Sequence, residues 1–141
     1  MSVVKANRYE NTNTADGGIS ISSAGLVTVS AASGSISAIS VAASDTTKTL
    51  DFATSNNFEL TLANTSSCTL ANPSNLSAGQ TGSIFLVQDS TGSRVLAFGS
   101  SWEFADGSAP TLTTTASAVD RIDFIVRTTT SIHAVFTANY S

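Results

Sequence analysis

The segment Asn57-Phe58-Glu59-Leu60-Thr61-Leu62 alternates apolar with polar or charged residues after its first position. Successive side chains of a β-strand point to opposite faces of the sheet, so Phe58, Leu60 and Leu62 are placed together on one face. The same alternation recurs along the chain, in the ranges 47–52, 102–104, 117–127 and 131–136. No window shows a sustained 3.6-residue period with helix caps, and the sequence therefore predicts an all-β fold.

Two neighbouring segments predict how the strands are connected. Residues 83–88, Ser-Ile-Phe-Leu-Val-Gln, form a nearly continuous apolar run, which is typical of a strand buried on both faces. A short glycine-containing segment, 89–93, separates this run from the next one at 94–98, and such a loop favours a β-hairpin. We therefore expect an antiparallel β-sandwich of jelly-roll-like form, with a barrel as the alternative.

The chain divides by composition into an N-terminal element and a main domain. Residues 1–16 are polar and predict an extended arm, and the runs at 19–21 and 26–29 predict a β-hairpin after it. Residues 31–44 are mostly Ala, Ser and Gly, which indicates a connection or a weak strand. We expect an N-terminal arm with a hairpin over residues 1–45 and a β-sandwich domain over residues 46–141.

Charge is scarce and scattered. The 141 residues include 24 Ser and 20 Thr, whereas charged residues make up 11% and the net charge is −4 at pH 7. The basic residues form no run, which argues against a nucleic-acid partner because binding of phosphates needs clustered cations. The sequence has no apolar stretch of membrane-spanning length and no signal-peptide core at its N-terminus. We expect a protein that is made in a cytoplasm and does not insert into a membrane.

The residue types that most often carry chemistry occur singly. Cys68, the one cysteine, lies in a short strand-like run and is expected to be buried. His133, the one histidine, is placed on the strand face opposite its apolar neighbours and is expected to be exposed. Trp102 is equally consistent with core packing and with an anchor for a sugar or a subunit contact. The lone Cys and His make a zinc site improbable.

Two pairs of carboxylates are candidates for a glycosidase site. Asp120 and Asp123 are an odd number of residues apart, so a regular strand directs them to opposite faces. Asp120 is expected to accept hydrogen bonds from its own backbone two residues on. Glu103 and Asp106 lie at a strand end and a turn. We expect no enzymatic activity, no catalytic residue, no metal and no cofactor.

The C-terminal half carries a family resemblance. Its elements are Gly79-Gln80-Thr81-Gly82 before the apolar run, Gly92-Ser93-Arg94, Trp102-Glu103-Phe104, a Gly-x-x-Pro-Thr-Leu segment at 107–112, and Val119-Asp120. In this order they resemble a β-domain of bacteriophage tail-fibre and other virion-surface proteins. The resemblance implies an all-β structural module on the exterior of a virion, often a homotrimer. It implies no catalytic residues.

The resemblance and the length of the chain together give the expected function. Tail fibres have long shafts before such a domain, whereas only about 45 residues precede it in this sequence. We therefore expect a capsid decoration (cement) protein or short head fibre that binds the major capsid protein, or another virion protein, and also itself. Its attachment and oligomerisation are assigned to residues 1–45. The alternative is a tail-fibre or receptor-binding module that recognises a host surface glycan or protein through loops 89–93 and 107–115.

Overall fold

The computed structural model describes residues 9–10, 18–21, 27–30 and 35–140, and it divides the chain into two units, Met1–Gly34 and Ser35–Ser141. In the first unit, strands β1 (Tyr9–Glu10), β2 (Gly18–Ile21) and β3 (Val27–Ser30) form an antiparallel sheet in that order. Strands β2 and β3 coincide with the predicted hairpin, whose turn lies outside the described residues. Most of the predicted arm, residues 1–16, also lies outside them.

The second unit consists of strands joined by turns, with one short 3₁₀ turn at Ala105–Gly107. Its strands are β4 (Ile36–Val41), β5 (Thr47–Lys48), β6 (Asn57–Leu62), β7 (Cys68–Leu70), β8 (Thr81–Gln88), β9 (Leu96–Phe98), β10 (Trp102–Phe104), β11 (Val119–Thr128) and β12 (Ser131–Thr137). Residues 35–45, which the sequence placed with the N-terminal element, belong to this unit and include β4.

The first six strands of this unit form a solenoid-like stack. Strands β4, β6 and β8 are parallel neighbours in a six-stranded sheet, and β5, β7 and β9 are parallel neighbours in a three-stranded sheet. Because successive strands alternate between the two sheets, each β4–β5, β6–β7 and β8–β9 pair makes one rung. Equivalent positions then align across the rungs, as Val41, Leu62 and Gln88 do.

The last three strands extend the six-stranded sheet beyond the final rung. Strand β11 pairs antiparallel with β8 and with β12, and β10 pairs parallel with β12. The sheet order is β10-β12-β11-β8-β6-β4. We call strands β10, β11 and β12 the cap, because β11 pairs with the edge of β8 that the stack leaves open, and β12 and β10 follow β11 in the sheet.

The all-β class is confirmed, but the predicted antiparallel sandwich is not the observed arrangement. The sheets are mixed, and parallel ladders join the rungs. The predicted hairpin between residues 83–88 and 94–98 is wrong, because β8 and β9 lie in different sheets. The Gln88 side chain accepts a hydrogen bond from Arg94 N–H at 2.8 Å and donates to the Arg94 carbonyl at 2.9 Å. These bonds occupy the Arg94 backbone groups that a hairpin ladder would use.

Carboxylates hold the turns between the sheets. Asp45 accepts hydrogen bonds from the Lys48 ammonium at 2.7 Å and from a backbone N–H, and these bonds lower its pKa. Asp89 accepts hydrogen bonds from the Arg94 guanidinium and from the N–H of Gly92, which lower its pKa to about 2. The ion pairs therefore fix the path of the chain from one sheet to the other.

The core lies between the two sheets. The predicted inner face of β6 is confirmed, since Phe58, Leu60 and Leu62 are fully buried. Strand β8 is buried on one face only: Ile84 and Leu86 are buried, whereas its outward apolar side chains are half-buried. An aromatic cluster of Phe52, Phe58, Phe98, Trp102, Phe104 and Phe124 packs toward the cap. Each fully buried side chain of this size contributes about 1.5–3 kcal/mol to folding.

Candidate functional site

A groove of about 520 Å³ lies on the outer face of the cap. The strand register aligns Glu103 of β10 with His133 of β12, and His133 in turn with Ile125 of β11. The next outward row places Val135 beside Asp123. Because alternate residues of a strand face the same side, the outward positions of three strands converge on this groove. We call it the cap groove; its lining residues are Glu103, Phe104, Ala105, Asp123, Phe124, Ile125, His133, Ala134 and Val135.

Exposed apolar side chains form one part of the cap groove. Val135 is 65% exposed and Ile125 is 47% exposed, and they occupy diagonal positions on neighbouring strands. Covering a branched apolar side chain is favourable by about 25 cal/mol for each Å² that is removed from water. A partner with an apolar surface of matching shape therefore gains free energy by covering Ile125 and Val135.

Polar and charged groups form the other part of the cap groove. His133 Nε2 lies 3.3 Å from Glu103 Oε2, and both side chains are about half exposed. Asp123 accepts a hydrogen bond from the Ser83 hydroxyl at 2.6 Å and forms an ion pair with Arg121 at 2.8 Å. These partners hold the Asp123 carboxylate in place on the outer face.

The charged row continues beyond the groove. The Arg121 guanidinium carbon lies 4.7 Å from the centre of the Tyr140 ring, and Tyr140 is 50% exposed. On β8, Phe85 is the residue opposite Arg121. An aromatic ring beside a guanidinium and a carboxylate offers both stacking and hydrogen bonds to a ligand. The whole arrangement is suited to contact and recognition.

In neither of the two candidate carboxylate pairs do the two side chains share a site. Asp120 and Asp123 face opposite sides of β11, as predicted, and Asp120 is only 1% exposed. Asp120 accepts hydrogen bonds from the N–H groups of Thr113 at 2.8 Å and Asn139 at 2.9 Å. The prediction that it binds backbone two residues on is wrong, because its buried side chain joins two distant segments to the strand.

Glu103 and Asp106 also have separate surroundings. The Glu103 side chain lies on the cap groove beside His133, whereas Asp106 lies in the 3₁₀ turn with a positive φ of 60°. Within residues 9–10, 18–21, 27–30 and 35–140, no group of three or more His, Cys, Asp and Glu side chains is arranged to hold a metal ion. His133 is exposed, as the sequence predicted.

Cys68 and Trp102 are core residues. Cys68 is fully buried, as predicted, and burial raises the pKa of its thiol. Trp102 is 6% exposed, and its indole N–H donates to the Ala71 carbonyl at 3.1 Å. Of the two roles that the sequence left open for Trp102, the structure therefore supports core packing.

The two predicted contact loops are attached to the body by hydrogen bonds. In loop 89–93, Gly92 adopts a positive φ of 74°, and its nearest atom to an added Cβ would be the Thr114 carbonyl oxygen at 2.5 Å. The Ser93 N–H donates to that same carbonyl at 2.8 Å, so loop 89–93 packs on loop 107–115. Neither loop lines the cap groove.

The cap groove was not predicted from the sequence. The sequence does carry a sign of it, since Ile125 and Val135 are apolar residues on the mostly polar sides of their strands. The strand order that brings them to Glu103 is non-local and leaves no mark in the neighbouring residues.

The described residues contain no helix with the length and apolar character needed to span a membrane.

Comparisons with known proteins identify no relative. The chain matches no protein-family model, no curated protein and no solved structure.

Proposed function

We propose that this chain is a non-enzymatic structural protein of a bacteriophage particle. In this proposal it is a capsid decoration protein or a short head fibre, made in the host cytoplasm and assembled on the particle exterior. It binds the major capsid protein or another virion protein and associates with itself as a homotrimer. The observation that carries the proposal is the position of the family-like residues, which coincide with the last rung and the cap.

Gly82 is the sharpest example of such a residue. A Cβ added at Gly82 would lie 1.7 Å from the Asn56 carbonyl oxygen and 2.8 Å from the Phe124 ring. Only glycine permits this approach between the start of β8 and the turn that precedes β6. The first glycine pattern of the resemblance is thus a requirement for joining successive rungs.

The other family-like residues also have structural roles. Arg94 forms a 2.7 Å ion pair with Asp89 at the turn between β8 and β9. Trp102 fills the core at the start of the cap, and Asp120 joins two segments to β11. These residues determine how the last rung and the cap fold. The resemblance is therefore one of fold, and a domain with this fold is expected in virion-surface proteins.

A low surface charge supports a role in assembly. Strands β4, β6 and β8 have only one charged residue, Glu59, among their residues. Surfaces of Ser, Thr, Ala and small apolar residues can be covered by a protein partner without desolvating many charges. The cap groove supplies a more apolar contact area beside them, at Ile125 and Val135.

Rebinding to particles tests this function. Purified protein is mixed with phage particles that lack it, and bound protein is measured after sedimentation. We expect saturable binding by the wild type and weaker binding by Val135→Asp, which places a charge in the cap groove. Val95→Asp is the matched control, because Val95 is 49% exposed and does not line that groove. Failure of the wild type to bind particles would contradict the proposal.

A receptor-binding module is the second candidate, and the row from Asp123 through Arg121 to Tyr140 favours it. Carboxylate, guanidinium and aromatic groups in one row are suited to hydrogen bonding and stacking with a sugar ring. Adsorption to host cells separates the candidates. Under this alternative, Tyr140→Ala reduces cell binding while particle binding is unchanged.

A further inference from the structure

Strand β4 is an outermost strand of the six-stranded sheet. Its inner edge forms a parallel ladder with β6 from Ile36 to Val41. In the part of the chain that the structure describes, no strand pairs with its outer edge. The backbone groups on that edge therefore form a row of hydrogen-bond donors and acceptors available to a further strand.

The ladder shows which groups lie on the outer edge. The Val41 carbonyl accepts a hydrogen bond from Ala63 N–H at 2.9 Å, so the Val41 backbone faces β6. Adjacent residues of a strand direct their backbone groups to opposite sides. The N–H and C=O groups of Ile36, Ala38 and Ser40 consequently face outward from the sheet edge.

Within residues 36–41 themselves, β4 has no charged residue, no proline and no bulge. Natural edge strands are protected by charged residues, proline or bulges. Strand β4 reads Ile-Ser-Ala-Ile-Ser-Val, and its register with β6 runs without interruption. Ile36 is 52% exposed at the beginning of the strand.

The distribution of charge points to a second copy of this chain as the partner. In residues 1–34, Lys5 and Arg8 balance Glu10 and Asp16, so the net charge of −4 resides in the second unit. Two such units repel each other wherever their negative surfaces meet. At the β4 rung the only charged residues are Asp45 and Lys48, and they pair with each other at 2.7 Å. This rung therefore has no net charge, and of the rungs without net charge it is the one at the end of the sheet, where a second copy can approach it.

We propose that β4 pairs antiparallel with β4 of a second copy, about a two-fold axis at Ala38. In this register Ala38 lies opposite its own counterpart and Ile36 lies opposite Ser40. Every outward N–H and C=O group of the strand then has a partner, and the smallest side chain lies at the axis. Opposite residues also share a sheet face, because the three outward residues are separated by even intervals.

The contact does not depend on the phage function. Where the chain also forms the proposed homotrimer, pairing through β4 joins two trimers into one larger assembly. A two-fold contact doubles whatever assembly is otherwise present: single chains become dimers, and trimers become hexamers. Its predicted signature is therefore a mass that is an even multiple of the chain mass of 14.4 kDa.

Light scattering coupled to size-exclusion chromatography of the full chain tests the proposal. Ala38→Pro removes one outward N–H while leaving the ladder to β6, since that N–H does not face β6. Ser40→Lys places a charge on the edge and retains all backbone groups. Ala38→Ser is the matched control, because it keeps the N–H and a small side chain.

We expect Ala38→Pro and Ser40→Lys each to halve the mass of the assembly. The thermal unfolding midpoint of Ser40→Lys, a change at an exposed site, shows whether this variant is folded. Ala38→Ser is expected to keep the wild-type mass. A wild type that contains one or three chains overturns the proposal, as does an even-numbered assembly whose mass is unchanged in a folded Ser40→Lys variant.

Discussion

Replacement of Asp120 by alanine tests how the cap is held together. Asp120 is 1% exposed, and its two carboxylate oxygens each accept one backbone hydrogen bond, from Thr113 and from Asn139. Hydrogen bonds to a charged group contribute about 1.5–3 kcal/mol each, so the pair contributes about 3–6 kcal/mol. Removing a buried carboxylate also returns part of its desolvation cost. We expect a net loss of about 3 kcal/mol in the free energy of unfolding.

The loss is measured by urea and thermal unfolding, followed by far-UV circular dichroism. For a unit of this size, about 3 kcal/mol corresponds to a decrease of about 12 °C in Tm. Asp120→Asn retains one acceptor oxygen and is expected to lie between the wild type and Asp120→Ala. Asp123→Ala is the control on the same strand: its carboxylate is 40% exposed, so its ion pair is worth about 1 kcal/mol or less. Equal losses for Asp120→Ala and Asp123→Ala would refute the reasoning.

Three further predictions follow from the rungs and the core. Gly82→Ala is expected to destabilise the protein by about 3 kcal/mol, since an added Cβ overlaps a backbone oxygen at 1.7 Å, whereas Gly79→Ala, with open space around it, costs about 1–2 kcal/mol for its positive φ. The pKa of Asp89, lowered to about 2 by Arg94, makes the ion pair stabilising above pH 4, so Tm should fall as the pH drops from about 4 to 2, and Asp89→Asn should reduce that dependence; an unchanged pH profile would contradict this role. Cys68 is fully buried with a raised pKa, so its thiol should react with an aromatic disulfide reagent only on unfolding, and rapid reaction in the native protein would contradict its burial.

Local alternation predicted the inward face of β6, whereas the continuous apolar run of residues 83–88 wrongly predicted burial on both faces. The alternation in β6 placed Phe58, Leu60 and Leu62 on one face, and all three are buried there. The odd interval between Asp120 and Asp123 placed them on opposite faces, as observed. These successes share a cause: the face that a side chain occupies follows from the two-residue period of a strand.

Strand pairing could not be predicted in the same way. The partner of Asn57 in β6 is Ser83 on one side and Ile36 on the other, and the two sequence intervals differ in length. Unequal intervals produce no fixed period that a search for repeats would detect. Residues 89–93 are compatible with a hairpin by composition. The Gln88 side-chain bonds and the Asp89–Arg94 ion pair, which direct the chain to the second sheet, follow from the folded structure.

The cap groove depends on the same non-local pairing. His133 was correctly placed on an exposed face, but its neighbour Glu103 comes from β10, which joins β12 in a parallel ladder. Two parallel strands are joined by a long connection. The composition of that connection does not show which two strands will pair. The candidate surface is therefore a property of the fold, whereas its separate residues are properties of the sequence.

Quantitative mass spectrometry of purified virions tests the central claim most directly. As a decoration protein or short head fibre, the chain is expected at a copy number comparable with that of the major capsid protein, and in a position accessible to protease from outside. A copy number far below that of the capsid protein would instead favour the receptor-binding alternative. Absence of the chain from purified virions, with its presence in the lysate, would contradict a structural role in the particle.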